Sequence, residues 1–378
     1  MYKVAFATGS RADYGIVRNY ISRLNADPEV DFSVLVTGAL LDEAYGSAVS
    51  IIEADGFRIG HRCKLSLKVG STADTVHIMS EVLDDFGKYF EEQKPDLLII
   101  LGDRYEIYAV SIAAAMQRVP ILHLHGGEIT LANYDEFIRH SITKMSRWHF
   151  TSTEEYRRRV IQLGENPADV YWLGALGAEN CLEIEKANVP ADLLDIDNCF
   201  TVLFHPETLN PMSPGEQMKV VLDAVSGFAG KYKLVFIGSN ADTRSDQIGR
   251  LVEEFCENHP GAVLYKNLHP DAYHWLVSRS YALVGNSSSG IIEVPSLGAF
   301  TVNIGDRQTG RVKGESVLDV PCNATAIAEA MQYSIFHKGE AAGKNPYYKP
   351  DTARLYYETT MKILRSGEGK GFKEFYDL

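Results

Sequence analysis

The chain has 378 residues, which is enough for two domains of ordinary size. With 45% apolar and 23% charged residues, it has the composition of a globular protein. Its net charge of −13 argues against a nucleic-acid partner, because binding phosphates over a wide face needs an excess of lysine and arginine. A local basic pocket for one phosphorylated small molecule remains compatible with this charge.

The five cysteines are scattered and have no C-x-x-C spacing, which argues against a disulfide framework and against a zinc site. The N-terminal stretch MYKVAFATGS begins a strand and lacks the basic and apolar regions of a signal peptide. No apolar run is long enough to cross a bilayer. We therefore expect a cytoplasmic protein with no membrane partner.

The first half of the chain alternates short apolar runs with helical patterns, which lie at 15–25, 75–93, 105–117 and 136–144. Strands that are buried on both faces have continuous apolar runs, so this alternation predicts βαβ units in a parallel sheet. The candidate strands are KVAFAT (3–8), DFSVLVT (31–37), DLLIILG (96–102), PILHL (120–124), WHFTS (148–152) and VYWLG (170–174).

The same pattern restarts after a polar interval at 183–197 and predicts the α/β class with two Rossmann-like doubly wound domains, 1–185 and 186–350. In 351–378, a helix at about 351–365 has no strand after it, and we expect it to cross back onto the first domain. We expect the two domains to face a cleft, because ligands of such sheets bind outside the carboxyl ends of the strands. The second set of strands is CFTVLFH (199–205), KLVFIG (233–238), AVLYK (262–266), YALVG (281–285) and FTVNIG (300–305).

The loop after the first strand, TGSRADYG, contains Arg11, which could pair with a phosphate or a carboxylate. An exposed arginine without a ligand, in an ordinary βα loop, explains this sequence equally well. The loop lacks the G-x-G-x-x-G fingerprint, and G-x-x-x-x-G-K-[ST] occurs nowhere in the chain. We therefore expect neither a bound NAD nor an NTPase P-loop.

The loop LGDRYEIY places Asp103 and Arg104 directly after the third predicted strand. An N-cap role is a strong alternative for Asp103, since aspartate is a good helix cap. A catalytic carboxylate is also common at such a strand end.

The stretch HGGEITLANYDEFIRHS follows the fourth predicted strand and is rich in ionisable groups. A helix that starts near Asp135 would put Asp135 and Arg139 on one face, as in an ordinary exposed ion pair. That explanation does not account for the other groups crowding this strand end, which favour an acid–base site: His123, His125, Glu128 and His140. No H-x-x-x-H or H-E-x-x-H pattern is present, so we expect no metal.

In the second half, VGNSSSGIIEVPSLG (284–298) ends a strand with a small polar turn before a helix. Asn286, Ser287, Ser288 and the neighbouring N–H groups form a candidate anion site that fits a diphosphate, and Glu293 could accept ribose hydroxyls. Two arginines in NIGDRQTGR, Arg307 and Arg311, are further candidate cations, and His205 ends a strand in LFHPET. Serine helix caps, exposed arginines and a structural histidine are the alternatives for each feature taken singly.

These motifs, together with TSTEEYRRRVIQLGE and IGSNADT, occur in the same order in the hydrolysing UDP-N-acetylglucosamine 2-epimerases. The chain resembles the bacterial sialic-acid branch of that family over nearly its whole length. The resemblance implies a GT-B-like fold and a UDP-sugar substrate. It implies elimination of UDP to a glycal, hydration to N-acetylmannosamine, and no cofactor.

Asp103 and Asp135 match the acidic catalytic positions of the family, and Arg104 and Arg139 would lie beside them. Many relatives have glutamate where this chain has His125, so either His125 or Glu128 would take that acid–base role. The positions that match UDP-binding residues are Arg11, His205, Ser287, Ser288, Glu293 and Arg307, with Ser239 as a weaker match.

Some relatives have a histidine where this chain has Leu40, so the role of that histidine does not carry over. The alternatives are the same reaction on UDP-2,4-diacetamido-2,4,6-trideoxyglucose, a non-hydrolysing epimerase, a GT-B glycosyltransferase, and a sugar-nucleotide-binding protein without turnover. We also expect a homo-oligomer, either a dimer or a tetramer.

Overall fold

The computed structural model describes residues 1–42, 49–65, 72–130, 134–205, 207, 211–238, 245–266, 268–341, 343–367 and 373–377. It divides into two compact units. Unit 1 comprises the described residues of Met1–Glu128, Tyr134–Leu176 and Lys349–Leu378, and unit 2 comprises those of Ile129–Asn133 and Gly177–Tyr348. The domain boundaries predicted at residues 185 and 350 stay predictions about independently folding domains.

In unit 1 the described residues form a seven-stranded sheet, in which all the strands are parallel. The strands are β1 (Tyr2–Thr8), β2 (Val30–Val36), β3 (Ile59–Arg62), β4 (Leu97–Leu101), β5 (Ile121–Leu124), β6 (Trp148–Thr151) and β7 (Val170–Trp172). Their order, β3-β2-β1-β4-β5-β6-β7, reverses direction between β1 and β4, as in a doubly wound sheet. The loops that follow β1, β4 and β5 therefore leave the sheet side by side.

Helices connect these strands, so the central strands are buried on both faces; every residue of β4 is buried. The helices of unit 1 are α1 (Arg11–Ala26), α2 (Val49–Ala54), α3 (Thr72–Gln93), α4 (Tyr105–Met116), α5 (Asp135–Met145) and α6 (Glu154–Gln162). The next helix, α7 (Leu176–Asn180), begins at the last residue of this segment of unit 1 and continues into unit 2.

Unit 2 repeats the pattern with a six-stranded parallel sheet among its described residues, in the order β10-β9-β8-β11-β12-β13. Its strands are β8 (Cys199–Leu203), β9 (Lys233–Ile237), β10 (Ala262–Tyr265), β11 (Ala282–Gly285), β12 (Phe300–Ile304) and β13 (Val317–Val320). The helices are α8 (Ala191–Leu194), α9 (Pro214–Ser226), α10 (Ser245–Asn258), α11 (Pro270–Arg279), α12 (Ser289–Ile292), α13 (Val294–Leu297) and α14 (Ala324–Phe336).

The last helix, α15 (Thr352–Ser366), belongs to unit 1 and packs on α1. The hydroxyls of Tyr20 and Thr360 share a buried hydrogen bond of 2.7 Å, and the Tyr356 hydroxyl donates to the carbonyl of Gly174 at 2.8 Å. The rings of Tyr20 and Tyr356 also meet edge to face, with centroids 5.4 Å apart. The chain thus returns to its first unit through an aromatic and hydrogen-bonded contact.

The prediction of two doubly wound parallel α/β sheets is confirmed, and the structure adds two strands that we did not predict. These strands, β3 and β13, are each four residues long and lie at a sheet edge. Their side chains are half-buried or exposed, so they lack the continuous apolar runs that indicated the central strands. Among the described residues, the helices are too short or too polar to span a bilayer.

The backbone of Gly285, the last residue of β11, lies very close to the backbone of the neighbouring strand β8. Its φ is 152°, and a Cβ at this position would lie 1.8 Å from the carbonyl oxygen of Leu203 in β8. Because that neighbour is backbone in a central strand, the clash cannot be relieved by rotating a side chain. The ends of β8 and β11 therefore require glycine here.

We expect Gly285→Ala to lower the free energy of unfolding by about 2 kcal/mol or more, in line with backbone incompatibility. Gly227→Ala is the matched control, because Gly227 has a helical φ of −65° and nothing within 4 Å of an added Cβ. Urea denaturation followed by circular dichroism measures both variants. Equal stability of the two variants would contradict the close approach of β8 and β11.

Candidate functional site

Unit 1 gathers ionisable side chains at the carboxyl ends of β1, β4 and β5. Arg11 begins α1 directly after β1 and is exposed. Asp103 and Arg104 follow β4, and His125 follows β5. Since these three strands are neighbours in the sheet, the predicted residues from distant parts of the chain arrive at one edge.

Arg139 connects the segments around this edge although it is almost completely buried, with 2% of its side chain exposed. It forms an ion pair with the carboxylate of Asp103 and donates to the backbone carbonyl of Glu128 at 2.7 Å. Its Nη1 also lies 3.3 Å from a carboxylate oxygen of Glu136, one turn earlier in α5. The predicted catalytic residue Asp103 is therefore held by a charged partner from α5.

His125 and Glu128, the two candidates for one acid–base role, lie together. The Nδ1 atom of His125 is 3.3 Å from a carboxylate oxygen of Glu128, and both side chains are at least 90% buried. The Ser152 hydroxyl donates to that same oxygen at 2.8 Å. His125 also has a left-handed backbone with φ 64°, a conformation that costs energy for a residue other than glycine. The choice between the two residues stays a prediction.

Two other histidines of this region have partners that limit their chemistry. His123 is buried in β5, with Nε2 2.9 Å from the carbonyl of Gly102 and Nδ1 3.3 Å from the Thr143 hydroxyl. Burial lowers the pKa of His123 to about 3, so the ring is neutral at physiological pH. His140 lies 3.2 Å from a carboxylate oxygen of Glu136 in α5.

Two acidic residues of this edge were missed by our sequence analysis. Asp13 lies in the first turn of α1, and burial raises its pKa against the opposing effect of Arg104. Glu106, in the first turn of α4, is 1% exposed and accepts a hydrogen bond of 2.5 Å from Nε of Arg104. Each of these acidic residues lies two positions after a predicted site arginine, Asp13 after Arg11 and Glu106 after Arg104. That proximity is the feature of the sequence that could have identified them.

In unit 2, Asn286 joins the ends of β8 and β11. Its side-chain oxygen accepts from the backbone N–H of His205, and its side-chain nitrogen donates to the carbonyl of His205, both at 2.8 Å. Arg307 and Gln308 donate to the backbone carbonyl of Asn286 at 3.0 and 2.8 Å. The side chain of Asn286 thus fixes the loop around it, and the predicted binding residues His205 and Arg307 are brought beside it.

Glu207, which the sequence analysis did not identify, fastens the loop that carries Arg307. One of its carboxylate oxygens accepts from the backbone N–H groups of Asp306 and Arg307 at 2.8 and 2.9 Å. Further along this loop, Arg311 lies with Nη2 3.5 Å from the hydroxyl of Thr130. The loops that follow β8 and β12 are therefore held together by a carboxylate that binds main-chain donors.

Glu293 lies between the single-turn helices α12 and α13 and has three polar neighbours. Its Oε2 accepts from the Ser289 hydroxyl at 2.5 Å and lies 3.4 Å from Nε2 of His274, and Tyr273 shares a hydrogen bond with Ser289. Burial acts to raise the pKa of Glu293, but the hydrogen bonds and the charge of His274 outweigh it and leave the pKa below its ordinary value. Glu293 is therefore an ionised carboxylate that can accept hydrogen bonds from hydroxyl groups.

Ser287 is buried at the turn before α12, and its hydroxyl lies 3.4 Å from the backbone nitrogen of Ser289. Ser288 is the N-cap residue of α12. Ser239 lies outside the described residues. Leu40 is 1% exposed in a short 3-10 turn after β2, and its apolar side chain contributes packing. Across the described part of the chain, no group of three His, Cys, Asp or Glu side chains is arranged to hold a metal ion.

The family model for UDP-N-acetylglucosamine 2-epimerase matches residues 22–360. The chain is 45% identical to polysialic acid biosynthesis protein P7 of Escherichia coli, over 100% of this chain and 98% of that protein.

The chain belongs to the UDP-N-acetylglucosamine 2-epimerase family.

A second relative is a hydrolysing UDP-N,N'-diacetylbacillosamine 2-epimerase of Legionella pneumophila, which is 32% identical over 96% of both chains. Among solved structures, UDP-GlcNAc 2-epimerase of Neisseria meningitidis, crystallised with UDP-GlcNAc, has a TM-score of 0.78 at 18% identity and covers 95% of this chain and 100% of its own. At that identity the likeness shows the fold, and it places this member of the epimerase family among GT-B-like proteins.

The buried neutral state of His123 predicts a pH dependence of stability in this epimerase. A histidine in the unfolded chain binds a proton below pH about 6.5, whereas His123 in the folded chain stays neutral down to pH about 3. Stability therefore falls as the pH falls through this window, by up to about 1.4 kcal/mol per pH unit for one proton. We expect His123→Gln to make the loss of stability between pH 6 and pH 4 shallower by this amount.

Urea denaturation at several pH values measures the slope, and His77→Gln is the control because His77 has 70% of its side chain exposed. The control should keep the slope of the unsubstituted protein. An unchanged slope in His123→Gln would show that His123 is protonated in the folded state.

Proposed function

We propose that this chain is a hydrolysing 2-epimerase that converts UDP-N-acetylglucosamine and water to N-acetylmannosamine and UDP, in the cytoplasm, for sialic acid synthesis. The observation that carries the proposal is the 45% identity to polysialic acid biosynthesis protein P7 across the whole chain. The clusters of polar residues at the strand ends of both units support it. A dimer or tetramer stays a prediction.

The reaction begins with an elimination. A base removes the proton at C2, the C1–O bond breaks, and its electron pair leaves with UDP as the C1=C2 double bond of the glycal forms. Water then adds its oxygen to C1, and C2 receives a proton on the opposite face. The chemistry needs proton-transfer groups near C1 and C2 and cationic or hydrogen-bonding groups at the departing diphosphate.

We assign the diphosphate and the nucleoside mainly to residues of unit 2, together with Arg11 of unit 1. Arg307 supplies a guanidinium that Glu207 and Asn286 hold in place through main-chain contacts. Ser287 and Ser288 supply hydroxyl donors at the turn before α12. Glu293 keeps its negative charge and is suited to ribose hydroxyls, because a carboxylate near the phosphates themselves would repel them. Arg11 and His205 complete the assignment by resemblance.

We assign proton transfer to residues of unit 1. Asp103 is held by the buried guanidinium of Arg139, which favours its ionised form as a base. The pair formed by His125 and Glu128 can accept or return a proton through the contact of 3.3 Å. Asp135 lies at the start of α5, as the acidic position of the family motif requires. Arg104, held by Glu106, lies beside them.

The second candidate is the same reaction on UDP-2,4-diacetamido-2,4,6-trideoxyglucose. The relative at 32% identity, named as a diacetylbacillosamine 2-epimerase, favours this candidate. The two sugars differ at C4 and C6, away from the carbons that react, so they share the proposed chemistry. Only a comparison of kcat/KM for the two substrates separates them.

The first experiment is a proton NMR time course with UDP-N-acetylglucosamine in D2O, without added metal or NAD. We expect free UDP together with N-acetylmannosamine that carries deuterium at C2, because the glycal takes its C2 proton from solvent. Turnover of the diacetamido sugar alone would select the second candidate. Release of UDP with no deuterium at C2 would refute the elimination.

The variants Asp103→Asn and Asp135→Asn test the assigned residues. We expect each to lower kcat by about 100-fold or more, the usual effect of removing a general acid or base. Asp31→Asn is the control, since Asp31 is 43% exposed in an ion pair with Arg58, and it should retain full activity. Full activity in Asp135→Asn, measured by release of UDP, would show that Asp135 is not a catalytic group.

A further inference from the structure

Among the buried polar atoms that have no hydrogen-bond partner in the described residues, three belong to ionisable side chains that follow β1, β4 and β5 of unit 1. They are Oδ2 of Asp13, Oε2 of Glu106 and Nε2 of His125. These residues follow β1, β4 and β5, three neighbouring strands. Buried polar atoms in folded proteins nearly always have a partner, so three exceptions at one edge point to a partner that comes from outside the chain.

Asp13 interacts with three other ionisable groups at this edge. Electrostatic interactions connect its carboxyl to Arg104, Glu106 and His125, so it is close to groups from the loops after both β4 and β5. Its backbone N–H donates to the hydroxyl of Ser10 at 3.1 Å, which caps α1 and fixes the direction of the first turn. The position of the carboxyl is therefore set by the helix start and not by a long flexible side chain.

Glu106 occupies the space beneath the first loop and restrains Arg104. A Cβ on Gly9 would lie 2.5 Å from Oε1 of Glu106, so this loop packs closely on the carboxyl group. The same Oε1 accepts from Nε of Arg104 at 2.5 Å. The positive charge of Arg104 is thus largely balanced by Glu106, and Oδ2 of Asp13 keeps its capacity for a further hydrogen bond.

We propose that Asp13 is a substrate-binding residue whose carboxyl group hydrogen-bonds the hexosamine, through a hydroxyl or the acetamido N–H. The proposal rests on the proposed function, because it assigns the sugar of the UDP-sugar to this edge of unit 1. Nothing in the resemblance assigned a role to Asp13.

The charges at this edge favour a neutral sugar group over a phosphate. Asp13 and Glu106 both carry carboxyl groups, which repel a phosphate, and Arg104, which interacts with Asp13, is already paired with Glu106. Burial raises the pKa of Asp13, so its carboxyl group takes up a proton more readily than usual and can then also donate. Sugar hydroxyls, which both donate and accept, suit such a group in either state.

The test compares binding of the sugar nucleotide with binding of UDP alone. We expect Asp13→Ala to raise KM for the UDP-sugar substrate by about 10-fold or more, the effect of losing one hydrogen bond to a substrate. Because Asp13 is not among the residues assigned to UDP, the Kd of UDP measured by isothermal titration calorimetry should change by less than about 2-fold. Asp13→Asn, which keeps the shape and a hydrogen-bonding group, should recover part of the loss.

Asp27→Asn is the matched control at the other end of α1, where Asp27 accepts from the Tyr357 hydroxyl at 2.6 Å far along the helix from Asp13. It should leave KM unchanged. Equal weakening of UDP and UDP-sugar in Asp13→Ala would overturn the proposal, as would a KM within about 2-fold of the unsubstituted enzyme. If Asp13→Ala does not fold, the comparison of KM for the UDP-sugar with Kd for UDP is made on Asp13→Asn, and it supports or overturns the proposal by the same criteria.

The failure of the proposed function would be seen separately. It would appear as no turnover of either UDP-sugar by the unsubstituted enzyme. The intact UDP-sugar could then be titrated directly, and the ratio of its Kd to that of UDP, with and without Asp13→Ala, would still support or overturn the role of Asp13.

Discussion

The arrangement of unit 1 depends on one buried guanidinium. Arg139 is 2% exposed, and a charge at that depth is tolerated only when partners replace the lost water. Its partners include the carboxylate of Asp103, the carboxylate of Glu136 and the main-chain carbonyl of Glu128. These groups come from the loops after β4 and β5 and from α5. Satisfying one buried charge therefore brings three segments of the chain to one place.

In unit 2 the loop ends are held mainly by side chains that bond main-chain groups. The side chain of Asn286 bonds both backbone atoms of His205, and Gly285 beside it allows β8 and β11 to approach closely. Glu207 then fastens the loop of Arg307 by accepting two main-chain N–H groups. In this unit Arg307 and Arg311 lie in the loop after β12, whereas in unit 1 the guanidinium groups of Arg104 and Arg139 have carboxylate partners. For this reason we propose phosphate binding mainly in unit 2 and proton transfer in unit 1.

The sequence predicted most of the fold because buried parallel strands are continuous apolar runs. It missed β3 and β13, whose half-exposed side chains lack that pattern. For the site, the loops were predictable because parallel strands place their carboxyl ends at one edge. The individual contacts were not predictable: the side chain of Asn286 bonds the backbone of His205, while its role as a ligand group stays a prediction. Asp13 and Glu106, which lie close to Arg104, were not identified from the sequence.

The sequence by itself determined the alternation of strands and helices, the loops that carry polar groups and, through long motifs, the family. Those features are local, since each depends on residues that are adjacent in the chain. Only the tertiary structure decided which ionisable groups are buried together. The sequence offered Asp135 as a partner for Arg139 on the same helix, whereas the ion pair of Arg139 with Asp103, from the loop after β4, depends on the order of the strands. Contacts of that kind are set by the order of strands in the sheet, which the spacing of residues along the chain does not contain.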